Sequence, residues 1–338
     1  MHYRQNQHLV LTVLAGHDEQ MPPLLMRFRV DLLLLLVAMS WGSTYLVAKE
    51  LVAVETVIAL LAVRMLLAAA LMAAIIGVRR KRITSAELAV GIPIGILLGA
   101  VFALETFGIA HTSATNAGLI ISLTIVLTPL VESIVCRRRL PAQFFVAAVL
   151  AIAGVILLAG NGSFDPPGPG DLLVLGAAAV RAIHVVTMHK LTSGQALDSL
   201  HLTTVQLGTC ALLFTAGTAA YGESIPQYLT RLDPGQGTLF LYLVLVCTVF
   251  AFFVQLWAVR RTSPSRVSLL LGTEPVWAAI IGITFAHDAI GITGLAGIGL
   301  ILIGTAWGRS IEQRHSRSRR VPDSKDLILE KDNLTALK

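Results

Sequence analysis

The stretch from Glu105 to Gly160 recurs 150 positions later as the stretch from Gln255 to Arg309, with its positive charges moved to the opposite end. Thr112 and Ser113 fall on Thr262 and Ser263, Leu119 on Leu269, Val126 on Val276 and Gly154 on Gly304. The connector from His111 to Asn116 carries no Lys or Arg, whereas its counterpart holds Arg260, Arg261 and Arg266. The next connector reverses this, reading Arg137-Arg138-Arg139 in the first copy and His287-Asp288-Ala289 in the second. Lys and Arg in short loops stay cytoplasmic, so equivalent loops are predicted on opposite sides of a bilayer and the two halves inverted.

A bilayer is required by composition. Of 338 residues, 55% are hydrophobic and 14% charged, where a soluble domain carries about a quarter charged residues. Apolar runs of about 20 residues, long enough to cross a hydrocarbon core, recur along the chain. Ten are read, over 30–48, 57–78, 88–110, 116–135, 142–160, 171–189, 200–221, 238–259, 267–286 and 291–308. The expected fold is an all-α polytopic membrane protein of ten transmembrane helices in two inverted five-helix repeats. Its parts are a cytosolic N-terminal segment 1–29, a first repeat 30–160, a Pro/Gly-rich connector 161–170, a second repeat 171–308 and a basic cytosolic tail 309–338.

The net charge of +6 does not point to nucleic acid, because the basic residues flank apolar spans and form no clustered face. Arg27, Arg29, Arg79 to Arg82, Arg137 to Arg139, Arg260, Arg261, Arg266 and Arg309 to Arg320 all fall on one predicted side. Both termini are therefore expected in the cytoplasm, with the protein in the inner (plasma) membrane. The patch from His8 to Gly16 is too short for a crossing and lacks a small-residue cleavage site, so no removed signal peptide is expected. Cys136, Cys210 and Cys247 are isolated, so neither disulfide nor metal is expected. No phosphate-binding GxxxxGKS/T loop and no nucleophile–base signature is present, so no cofactor and no enzyme activity are expected. Gly294, Gly297 and Gly299 imitate a dinucleotide fingerprint, but no strand precedes them, and they read as small residues for close helix packing.

Ionisable groups within a bilayer by default line a cavity or pathway. Glu105 and Gln255 occupy matched positions in the third and eighth spans, where a midplane site between repeats would be built. Trp41, Tyr45 and Lys49 share one helical face at i, i+4 and i+8. Trp41 and Tyr45 are the cavity candidates, while Lys49 with Glu50 ends the run and is expected at the outer headgroups. Arg64 cannot lose its proton and needs a partner, which is either Glu105 or an anionic substrate group. Arg181 and His184 lie three residues apart on one face of the sixth span. Glu274 precedes Pro275, whose missing N–H frees a carbonyl one turn earlier, and Trp277 follows. Glu274 is read either as a site for a substrate amine or coupling proton, or as the partner of Arg266 in a gate.

Trp41-Gly42-Ser43-Thr44, Arg64, Thr112 to Ala117, Arg261 to Arg266 and Glu274-Pro275-Val276 together resemble the EamA repeat of the drug/metabolite transporter superfamily. The resemblance covers nearly all of residues 30–308 and rests on the order of motifs in two copies. It departs at Ile125, where the first repeat usually has a proline, and at Arg137-Arg138, where it usually has Gly-Glu. It implies a central cavity between inverted bundles and export or exchange of small organic metabolites such as amino acids. The substrate-binding set read from the sequence is Trp41, Tyr45, Arg64, Glu105, His184, Gln255, Glu274 and Trp277. Expected partners are a small-molecule substrate, the lipid bilayer, a coupling proton and, in one assembly, a second copy as a homodimer. A nucleotide-sugar antiporter of the same superfamily and a non-transporting scaffold or sensor are the alternatives.

Overall fold

The computed structural model describes residues 23–53, 56–79, 82–135, 137, 140–159, 167–192, 195–221, 224–259, 270–287 and 290–320. These residues contain helices and no strand. In chain order they form α1 (Pro23–Leu51), α2 (Val57–Val78), α3 (Ser85–His111), α4 (Ala114–Ile121), α5 (Thr124–Val135), α6 (Ala142–Ala159) and α7 (Pro169–Thr192). Then come α8 (Ser199–Tyr221), α9 (Ile225–Arg231), α10 (Pro234–Val244), a π-helical turn Leu245–Phe250, α11 (Ala251–Val259), α12 (Glu274–Thr284) and α13 (Ile292–Arg320). Seven helical spans among the described residues are long and apolar enough to cross a membrane, and Ala142–Leu158, Glu274–Thr284 and Ile292–Gly308 are shorter apolar helices.

The apolar surface goes two ways. On α6, Phe144, Ala147, Ala151 and Val155 are buried in the core, while Phe145, Val149, Ile152 and Ile156 are each about half exposed. Both sets repeat at helical spacing, so one helix has two apolar faces. A continuous exposed apolar stripe of this kind marks an interaction surface, and on a helix of this composition lipid is the fitting cover.

Helix contacts close up where glycine removes the side chain. Gly91, Gly95 and Gly99 of α3 form a one-turn ladder, and Val205, Thr209 and Leu213 of α8 sit against them in step. The constant offset means that α3 and α8 run parallel. Gly154 of α6 lies against the Gly297 carbonyl and Ile301 amide of α13, and Gly304 of α13 lies against the Ala147 carbonyl and Ala151 amide of α6. Higher numbers on one helix meet lower numbers on the other, so α6 and α13 are antiparallel. Of the three fingerprint-like glycines, only Gly297 faces a neighbouring helix's backbone; Gly294 meets Ile290 and Gly299 opens onto space.

The duplication read from the sequence reappears in the backbone. The fourth run breaks at Ser122–Leu123 and the ninth at Gly272–Thr273. Leu123 N donates to Ile120 O, Val126 N to Leu123 O and Leu127 N to Leu123 O. The same three bonds recur 150 positions on, as Thr273 to Leu270, Val276 to Thr273 and Trp277 to Thr273. Arg137 and His287, also 150 apart, both take positive φ, 49° and 52°, where a helix ends in a left-handed residue. Pro275 consequently stands in the first turn of α12 and does not kink a continuous helix, as its place within the ninth apolar run suggested.

Candidate functional site

A cavity of about 550 Å³ lies at the centre of the bundle, within the range of small-molecule sites, roughly 300–1,000 Å³. Trp41, Tyr45, Arg64, Glu105, His184, Gln255 and Glu274 all line it, as does Arg181. Trp277 does not: its Cβ packs on Gly42 at the α1–α12 contact, and its indole nitrogen is buried without a hydrogen-bond partner.

Three helices meet at Glu274. Tyr45 Oη of α1 donates to Glu274 Oε1 at 2.7 Å, and Arg181 Nη1 of α7 stands 3.9 Å from the same oxygen. The Arg181 guanidinium also lies 6.0 Å from the centre of the Trp41 ring, within reach of a cation–π contact. Glu274 is the first residue of α12, where unsatisfied backbone amides favour negative charge. Arg266, the other partner read for Glu274 from the sequence, lies outside the described residues.

Arg64 of α2 is nearly buried, at 5% exposure. Its Nε donates to Thr248 Oγ1 at 3.2 Å, and its guanidinium lies 5.0 Å from the centre of the Phe102 ring. No carboxylate comes within 4.0 Å of it among the described residues, so the Glu105 ion pair read as one possibility is not formed. Glu105 sits one turn beyond Phe102 on α3, beside the same cavity. His184 Nε2 and Gln206 Oε1 are 3.2 Å apart, which joins α7 to α8 across the wall.

The π-helical turn explains how Arg64 and Trp41 are held. Residues 245–250 bond with an i→i+5 pattern, and a turn of that kind leaves carbonyls free for other donors. Trp41 Nε1 takes the Cys247 carbonyl at 3.1 Å, and Thr248 Oγ1 donates to Leu243 O at 2.9 Å. The Thr248 hydroxyl thus spends its proton on the backbone and presents a lone pair to Arg64. Nothing in Leu245-Val246-Cys247-Thr248-Val249-Phe250 distinguishes it from ordinary helix, so this turn and the roles of Thr248 and Phe102 were not legible in the sequence.

The result is a cavity with two guanidinium groups, two carboxylates, one imidazole and a wall of Leu98, Val101, Phe102, Val185 and Phe252. It has polar groups of both signs for orienting a solute and apolar surface for its body.

The chain matches the model of the EamA-like transporter family twice, over residues 28–160 and 168–307. It belongs to that family. Two copies of the EamA unit account for the repeated backbone, and the family lies within the drug/metabolite transporter superfamily. An uncharacterized transporter of Archaeoglobus fulgidus is 26% identical over 282 residues, spanning 82% of this chain and 84% of that protein. The Bacillus subtilis uncharacterized transporter YcxC is 22% identical over 242 residues, spanning 69% and 77%. A solved structure described only as that of a protein superposes with a TM-score of 0.54 at 18% identity, over 85% of this chain and 98% of its own. That likeness concerns the fold. The EamA chain is accordingly a multi-pass membrane transporter.

Proposed function

We propose that the protein moves a small zwitterionic organic solute, such as an amino acid or derivative, across the inner membrane by gradient-driven alternating access, in the outward direction. The observation that carries this reading is the charge set of the cavity: Arg64, Arg181, Glu105 and Glu274 face one space, with signs that balance. A solute bearing one charge of each sign meets complementary partners without bringing net charge into a low-dielectric site. Trp41 and Tyr45 supply flat surface, and His184 and Gln255 supply hydrogen bonds. The nucleotide-sugar reading is less favoured, because a diphosphate calls for several cations and two carboxylates share this space.

Ten crossings in two inverted halves provide the moving parts. The antiparallel meeting of α6 with α13 supports this, because contacts 154 to 297/301 and 304 to 147/151 exchange under the 150-residue shift. An exchange between antiparallel helices implies a twofold axis lying in the membrane plane. The loop charges support a cytoplasmic position for both termini. Glu105 and Glu274 are the candidates for proton coupling.

The test measures accumulation of labelled amino acids, their derivatives and toxic analogues in cells with and without the protein. At least one solute should accumulate less with it, and Arg64→Gln should cut that flux about ten- to a hundredfold, the effect of one charged hydrogen bond. If no solute in the panel responds, the proposal is wrong. In vesicles, flux should follow a pH gradient and fall with Glu105→Gln or Glu274→Gln; flux that ignores the gradient and survives both variants removes proton coupling.

A further inference from the structure

Three helices that line the cavity, α1, α3 and α7, are tied to one another at one end of it by charged side chains among the described residues. On α7, Arg181 and His184 face the cavity, Thr192 at the C-terminal end lines it too, and so do Gln195, Ser199 and Thr203 beyond it. The cavity therefore runs out toward the α7–α8 connector, which is its mouth. Asp171 lies at the other end of α7, ten residues before Arg181 and so about 15 Å from it along the helix axis.

At that far end the corner between α3 and α4 is the hub. Asp171 is 6% exposed and accepts three bonds: from Thr112 Oγ1 at 2.5 Å, Asn116 Nδ2 at 3.3 Å and the Gly168 amide at 3.0 Å. The first two tie α7 to the corner. From the opposite flank Lys49, in the last turn of α1, donates Nζ to the Ile109 and Ala110 carbonyls at 2.9 and 3.3 Å. Those carbonyls belong to the last turn of α3, which lacks intrahelical partners and carries the negative end of the helix dipole. Between the two ties the backbone is sealed: a Cβ on Gly170 would lie 2.6 Å from the His111 carbonyl carbon. Lys49 thus caps a helix that walls the cavity.

The mouth end is built differently. There Glu87 accepts from the Asp198 amide at 3.0 Å and pairs with His201 at 2.9 Å. That cluster fastens α3 to α8, which already run side by side along the glycine ladder, and leaves the space toward α7 open.

We propose that Lys49 and Asp171 are the clasp of a gate that shuts the cavity at this end. In the state open at the α7–α8 mouth, two charged side chains from α1 and α7 close on one corner. Opening the far side requires both sets of bonds to break and be replaced by water. Such bonds exist in one state only, so they bias the balance between the two states without touching the solute. This inference rests on the carrier reading.

The test uses Val185→Cys as a cavity reporter, in the full chain with Cys136, Cys210 and Cys247 changed to serine. Purified protein is reconstituted in vesicles, and a membrane-impermeant maleimide is applied to one face or the other. The parent should be labelled faster from the mouth face. Asp171→Asn and Lys49→Met should each raise labelling from the opposite face by about tenfold, the effect of losing one charge-assisted bond. Thr112→Val should raise it less, and Lys49→Arg should leave it at the parent rate. Opposite-face labelling at the parent rate in Asp171→Asn, Lys49→Met and Thr112→Val overturns the clasp. Equal labelling of the parent from both faces also overturns it, alone. A parent unlabelled from either face removes the carrier reading, and the clasp with it.

Discussion

Arg181→Gln should lower flux of the transported solute about a hundredfold and destabilise the folded protein by roughly 2 kcal/mol, discounted from the 3–5 typical of a broken buried pair because Arg181 is partly exposed. The guanidinium is 29% exposed and Glu274 14%. Removing the cation leaves the half-buried Glu274 with the Tyr45 hydroxyl as its side-chain partner among the described residues. Stability and flux should then separate. The double variant Arg181→Gln/Glu274→Gln has no stranded charge and should regain most of the lost stability, a coupling of the kind seen for residues that share one interaction. It should not regain transport, because α1, α7 and α12 are no longer linked through a carboxylate. Thermal unfolding in detergent and solute flux in vesicles measure the two effects. If single and double variants melt together, the contact does not join the helices.

Gly154→Val should cost about 3 kcal/mol, at the upper end for overpacking a close-packed interior, and reduce the yield of folded protein sharply. A Cβ there would lie 2.7 Å from both the Gly297 carbonyl oxygen and the Ile301 amide nitrogen. Backbone atoms of a helix cannot step aside as a side chain can. Gly304→Val should cost as much, because its Cβ would meet the Ala151 amide at 2.7 Å and the Ala147 carbonyl at 2.8 Å. Gly299→Val is the internal control, because nothing lies within 4 Å of its Cβ. Fluorescence-detected size exclusion after heating ranks the three. A Gly299→Val loss equal to the other two would show that the effect is one of helix propensity and not of the α6–α13 contact.

The duplication was legible because side-chain types match at one spacing while the loop charges reverse between the two copies. Arg137 and His287 show how far that reaches: the side chains differ, yet the backbone turns the same way at both. The membrane-buried charges were legible because each costs on the order of 3 kcal/mol at the centre of a helix and is kept only for a reason. Their pairing was not. Arg64 goes to a hydroxyl and a ring, and the hydroxyl, Thr248, sits on a π-helical turn with no sequence mark; Glu274 goes to Tyr45 and Arg181, whose meeting depends on how three separate helices pack. Trp277 is near Glu274 in sequence, but three residues along a helix is most of a turn, and its packing on Gly42 takes it out of the cavity. The carbonyl partners of Lys49 were not legible either, because the end of an apolar run does not reveal that another helix ends beside it.

The most direct measurement places single cysteines at Ser113 and Ser263, equivalent positions of the two repeats, and tags each from either side of intact cells. Opposite-side tagging of the two positions is the expected result, with position 263 on the cytoplasmic side. Tagging of both from the same side would contradict the inverted arrangement and, with it, a cavity that opens alternately to each face.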